Sequence, residues 1–98
     1  MEKSNPHHDL SRIKELAESG SVRVVATAMR DALHIGFDRQ DIIDVIVALD
    51  RTDFYKSMTA YHDHTCWHDV YRPITDAGEL YVKLILQDNV LVVSFKEK

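Results

Sequence analysis

The stretch Glu79-Leu80-Tyr81-Val82-Lys83-Leu84-Ile85-Leu86-Gln87, then Asp88-Asn89, then Val90-Leu91-Val92-Val93-Ser94-Phe95-Lys96, decides the fold. Both arms are rich in β-branched and aromatic residues, the composition of strands that pack on one side. Asp88-Asn89 fits a two-residue hairpin turn with positive φ. Counted outward from that turn, Gln87 faces Val90, Ile85 faces Val92, Lys83 faces Ser94 and Tyr81 faces Lys96. Successive side chains alternate between the faces of a sheet. Val82, Leu84, Leu86, Leu91, Val93 and Phe95 are therefore expected on an apolar core face, and Tyr81, Lys83, Ser94 and Lys96 on the open one.

Two further strands precede this hairpin, over 54–61 and 66–72, with a loop bracketed by Pro73 and Gly78 before it. Lys56 and Met58 share one face of the first. His68, Val70 and Arg72 share one face of the second, and Trp67, Asp69 and Tyr71 the other. Charge favours an outward Lys56 and Arg72, because an ammonium or guanidinium is rarely buried unpaired. Upstream of Asp53 the period is helical. Asp9 caps a stripe of Leu10, Ile13, Leu16 and Ala17 that stops at Gly20. Ser21 caps a second helix carrying Val22, Val25, Ala26, Met29, Ala32 and Leu33 towards Gly36, although its Val-Arg-Val-Val opening also reads as a strand. Asp38 caps a third segment, Ile42 to Leu49, apolar nearly all round and so buried. Helices followed by an antiparallel meander give an α+β class, one domain over 1–98, with N-terminal helices on one face of a C-terminal antiparallel sheet.

A chain of 98 residues hides about 60–65% of its unfolded surface, enough for one core. No apolar run reaches the roughly 18 residues of a membrane span. Met1-Glu2-Lys3-Ser4-Asn5-Pro6-His7-His8 has no hydrophobic signal region, and Cys66 is the one cysteine, which excludes an internal disulfide. These features read as cytoplasmic. The formal charge of −4 argues against non-specific nucleic-acid binding. Residues 1–53 hold seven Lys/Arg and ten Asp/Glu, and residues 54–98 hold five and six. The second half thus has room for a local cationic face.

That face would carry Lys56, Arg72, Lys96, Tyr81 and His68. Lysine and arginine neutralise a phosphodiester, a phenol donates a proton, and an imidazole gives or takes one near neutral pH. Metal-free RNA cleavage needs these roles: activation of the ribose 2′-hydroxyl, stabilisation of charge at phosphorus, and protonation of the leaving 5′-oxygen. Ordinary explanations stand beside this one. Exposed strand faces are routinely polar, Arg72 can pair with Asp69 or Asp76, and Trp67, opposite in parity to His68, reads as a core anchor. The run His62-x-His64-x-Cys66-x-His68 has chelating spacing, but a turn within it breaks the parity and a row of four cannot wrap a tetrahedral ion. No metal or other cofactor is expected. His7-His8 carries no role, and His34 sits at a helix C-terminus, where positive charge is mildly favourable.

Several segments carry a family resemblance: Asp53-Phe54-Tyr55-Lys56-Ser57-Met58-Thr59, Asp63-His64-Thr65, Trp67, Asp69-Val70-Tyr71-Arg72-Pro73 and Val92-Val93-Ser94-Phe95-Lys96-Glu97-Lys98, with Met1-Glu2-Lys3 and Pro6-His7. Over the whole chain the sequence resembles the MqsR family of toxins. The resemblance implies a RelE/YoeB-like microbial ribonuclease fold and an mRNA interferase of a type II toxin–antitoxin system. Such a toxin cuts single-stranded message at short GC-containing sites without the ribosome. It also implies a partner, the zinc-binding, DNA-binding dimeric antitoxin MqsA. By position it assigns Lys56 and Tyr81 to the active site, with Arg72, Met58 and Lys96 in support. The family pattern has glutamine at position 68, where this chain has His68, a group that can titrate. On this reading Lys56 and Arg72 hold the scissile phosphate, His68 or Tyr81 handles the protons, Lys96 favours the Tyr81 phenolate and Met58 packs against a base. The competing reading is a non-catalytic α+β interaction module.

Overall fold

Asp9 and Asp38 start two of the three helices whose N-termini the sequence marks. The computed structural model describes all 98 residues. Helix α1 (Leu10–Glu18) has the Asp9 carboxylate accepting from the Ser11 amide, and it buries Ile13, Leu16 and Ala17. Gly20, at φ +78°, takes the chain out of it in a conformation that favours glycine. Helix α3 (Arg39–Val47) opens on a reciprocal cap between Asp38 and Asp41, and it buries Ile42, Ile43 and Ile46.

The segment between them departs from the expected single helix. Val22–Val24 is strand β2, and helix α2 runs only from Ala26 to His34. Ser21 does not cap; the α2 N-cap is Val25, with no side-chain hydrogen bond. The stiff β-branched run instead pairs parallel to the last strand, Val22 with Val90 and Val24 with Val92. Sheet pairing and the burial of Val22 outweigh the helical period of the stripe.

The remaining strands are β1 (Glu2–Lys3), β3 (Phe54–Ala60), β4 (Asp63–Tyr71), the short β5 (Ile74–Thr75), β6 (Gly78–Leu86) and β7 (Val90–Glu97). Their order is β1-β3-β4-β6-β7-β2. The four long strands form the expected antiparallel meander, but the sheet as a whole is mixed. Both its edges come from the N-terminal half, β1 antiparallel to β3 and β2 parallel to β7. The helices lie on one face, and the core between the layers joins Ile13, Ala32, Ile42 and Ile46 to Tyr71, Leu80, Val82, Leu84, Val90, Val92 and Phe95. The architecture is α+β.

The hairpin itself differs near its tip. Leu86 pairs with Val90, so three residues, Gln87 to Asn89, make the connection, and no non-glycine residue has positive φ. A bulge at Val93 takes up the extra residue: Leu84 pairs with Val92, yet Lys83 pairs with Ser94 and Tyr81 with Lys96. Between tip and bulge the faces of β7 are therefore exchanged. Val90 and Val92 fill the core, whereas Leu91 and Val93 lie outside it, half-buried.

Over β3 and the second half of β4 the sheet is covered by the N-terminal segment. Asp69 is fully buried and accepts hydrogen bonds from the backbone amides of His7 (3.0 Å) and His8 (2.8 Å) and from the Ser57 hydroxyl. The His7 ring stacks on Trp67 with centroids 5.4 Å apart, and the Lys3 ammonium lies 4.2 Å from the same ring. Trp67 is thus not a core anchor; it is half-buried beneath the strap. His7-His8 is likewise not idle, because a buried carboxylate needs donors and these two amides supply them.

Candidate active site

Strand register builds the face away from the helices. Lys56 stands opposite Val70, Val70 opposite Lys83, and Lys83 opposite Ser94, a single row across four strands. Met58 and His68 pair on one side of this row. On its other side lie Arg72, from β4 beyond Val70, and the pair Tyr81–Lys96. The six residues expected at the site, Lys56, Met58, His68, Arg72, Tyr81 and Lys96, are thereby brought to one face. Val70, which pairs with both Lys56 and Lys83, has no exposed surface.

A second bulge lies between Phe54 and Lys56. Phe54 packs inward, its ring 5.5 Å from that of Tyr71. Tyr55 joins the outer face: its ring is 4.7 Å from the Arg72 guanidinium and 5.3 Å from the Lys56 ammonium. Strict alternation puts Tyr55 opposite Lys56, so no local signal could have found it. Lys83 was legible on this face but was not counted among the site residues. It stands at the centre, its ammonium 5.7 Å from the Tyr81 ring, as is that of Lys96.

Two of the four cations are already paired. The Lys56 ammonium meets the Glu2 carboxylate at 2.8 Å, and that hydrogen bond raises the lysine pKa. Arg72 gives two hydrogen-bonding nitrogens to Glu79, at 2.9 and 2.7 Å; its partner is neither Asp69 nor Asp76. Lys83 and Lys96 have no carboxylate oxygen within 4.0 Å. Burial, and then the charges of Lys96 and Lys56, push the Lys83 pKa down. His68 is also pushed down, by burial first and then by Lys83 and His8. All of these causes favour the neutral imidazole, whose lone pair can accept a proton.

The histidine-rich hairpin has a different geometry. His64, Cys66 and His68 alternate along β4, about 6.6 Å apart at strand rise. No three His, Cys, Asp or Glu side chains are grouped closely enough to hold an ion. No helix is long and apolar enough to cross a membrane.

The face defines a class before a family: a small α+β protein whose open sheet face gathers cations, a phenol and an imidazole. The family described as "Motility quorum-sensing regulator, toxin of MqsA" matches residues 5–97. The chain is 48% identical over 98 residues to the "mRNA interferase toxin MqsR" of Escherichia coli (strain K12), covering all of both chains. It belongs to the MqsR toxin family.

Proposed function

We propose that this chain is an endoribonuclease toxin that cuts single-stranded mRNA at GC-containing sites, independently of the ribosome and without a metal. Its relative's name, mRNA interferase toxin, supports the activity, and the family description, a toxin of MqsA, supports an antitoxin partner. We further propose that this antitoxin is zinc-binding and DNA-binding. The observation that carries the chemistry is the meeting of Lys56, Lys83 and Lys96 with Tyr81 and His68 on one solvent-facing patch.

Cleavage then follows from what each group can do. Lys56 and Arg72 exchange Glu2 and Glu79 for the scissile phosphate, and their charge offsets the charge that builds on its oxygens. Neutral His68 takes the proton of the ribose 2′-hydroxyl, whose oxygen bonds to phosphorus. Tyr81 gives its proton to the departing 5′-oxygen, and the Lys96 ammonium beside the ring stabilises the phenolate left behind. Met58 packs against a base. The products are a 2′,3′-cyclic phosphate and a 5′-hydroxyl.

The test is cleavage of an unstructured RNA containing GC sites, by purified protein in EDTA, with an RNA lacking the 2′-hydroxyl at the cut site as control. Wild type should cut only the ribose substrate. Lys56→Ala and Tyr81→Ala should each lower kcat/KM by about 10²-fold or more while staying folded. Dependence on added metal, cleavage of the deoxy-substituted strand, or full activity in both variants overturns the mechanism. Binding without any cleavage would instead favour a non-catalytic module.

A further inference from the structure

We propose that Lys83 is a catalytic residue of this site, its ammonium binding a non-bridging oxygen of the scissile phosphate. The proposal rests on the endoribonuclease reading and adds a residue to it. Lys83 occupies the middle of the row Lys56–Val70–Lys83–Ser94 and stands next to Tyr81 on β6. A phosphate lodged between Lys56 and Tyr81 lies over β4, with Lys83 at its side on β6.

Its charge state makes the same point. Lys56 and Arg72 reach RNA only by releasing a carboxylate. Lys83 has none to release, and it stands half-buried between two other ammonium groups. Like charges gathered on a partly desolvated surface repel one another, and the cost is relieved when an anion arrives. Lys96 is also unpaired, but it is exposed, so water screens it more effectively. A solvated strand charge that merely keeps a sheet soluble would sit at the rim, as Lys98 does; Lys83 stands mid-sheet, opposite the fully buried Val70.

In the reaction Lys83 keeps its proton throughout. The 2′-oxygen bonds to phosphorus, the bond to the 5′-oxygen breaks, and His68 and Tyr81 carry the protons as above. Lys83 stabilises the charge on the non-bridging oxygen at the point where it is greatest. It must therefore be protonated to act, which places a limit on activity at alkaline pH.

Lys83→Met and Lys83→Arg, compared with wild type on the same RNA, test this. Lys83→Met should lower kcat/KM by about 10²-fold, with its thermal midpoint unchanged or raised because a repulsive charge is gone. Lys83→Arg should recover part of the activity and move the alkaline limb of kcat/KM to higher pH, since a guanidinium does not titrate there. Lys83→Met activity within about threefold of wild type overturns the proposal. So does loss of activity matched by a fall in thermal midpoint, with an unmoved alkaline limb in Lys83→Arg. If wild type itself leaves RNA uncut, the endoribonuclease reading fails and Lys83 loses its role with it; if wild type cuts and Lys83→Met cuts equally well, only the Lys83 assignment fails.

Discussion

The Glu2 carboxylate lies 2.8 Å from the Lys56 ammonium, so edge strand β1 lays an anion on the cation proposed to hold the scissile phosphate. A phosphate must displace it before Lys56 can engage. Glu2→Gln should therefore tighten RNA binding, lowering KM by about two- to fivefold, the range of an exposed ion pair, with little change in kcat. Steady-state kinetics at low ionic strength check this. A KM that is unchanged or higher would mean that Glu2 orients Lys56 instead of masking it.

Acid should weaken the fold through His68. Its pKa in the folded protein lies below the ordinary value of 6.5, so between the two values the unfolded chain binds more protons. Stability therefore rises with pH across that window; His68's contribution is complete above about 6.5 and is lost as pH falls through the folded value. The urea midpoint of wild type should drop on the acid side of 6.5 more than that of His68→Gln. The same substitution should remove the acid limb of kcat/KM if His68 is the base. Parallel pH profiles in both proteins would contradict both statements.

Asp69 fastens the N-terminal strap. Asp69→Ala would leave the His8 amide without an acceptor and the His7 amide and Ser57 hydroxyl with only their longer contacts, to Ser57 Oγ and the Asn5 carbonyl, at a cost of about 2–4 kcal/mol. Denaturant unfolding should register that loss. Hydrogen exchange should quicken first at His7 and His8, and the Trp67 environment should change with them. An unperturbed Trp67 would show that the strap holds without the carboxylate.

Tyr71 has its hydroxyl buried with no hydrogen-bond partner. Burial, followed by the charge of Asp69, pushes its pKa up to about 12. The folded state therefore holds this proton where the unfolded chain has lost it, and stability falls as pH rises from the ordinary tyrosine value of about 10. Tyr71→Phe should be neutral or stabilising by about 1 kcal/mol at pH 7, and phenolate absorbance should lose its latest-titrating step. Strong destabilisation would reveal a partner for the hydroxyl.

Salt dependence should be modest for a nuclease. With Lys56 and Arg72 already matched by Glu2 and Glu79, few counterions remain to be released on binding. About two to three phosphate neutralisations at about 0.7 each give a slope of log Kd against log salt near 2. A slope of about 4 or more would mean that cations outside this face bind the strand.

Period and parity made much of the architecture legible. Asp9 and Asp38 announce their helices because a cap acts within one turn, and Lys56, Met58, His68, Arg72, Tyr81 and Lys96 could be assigned to one face because alternation is local. What was hidden depends on partners far along the chain. Val22-Arg23-Val24 suits helix or strand equally well until β7 offers a ladder. The bulges that turn Tyr55 outward and exchange Leu91 with Val92 have no composition of their own. Asp69 looked like one more polar strand residue because its donors, His7 and His8, are sixty positions away. The carboxylates on Lys56 and Arg72 were out of reach for the same reason.

The doubled count at Val93 has a consequence for insertions and deletions. Removing Val93 would leave a regular ladder with Lys83 still facing Ser94 and Tyr81 still facing Lys96. Removing Val92 gives the same chain, since its neighbour is also valine, whereas removing Leu91 would put a valine in its place opposite Ile85. The Val92–Val93 doublet thus holds the one spare link in β7, where a residue can be lost with Tyr81, Lys83 and Lys96 still facing outward.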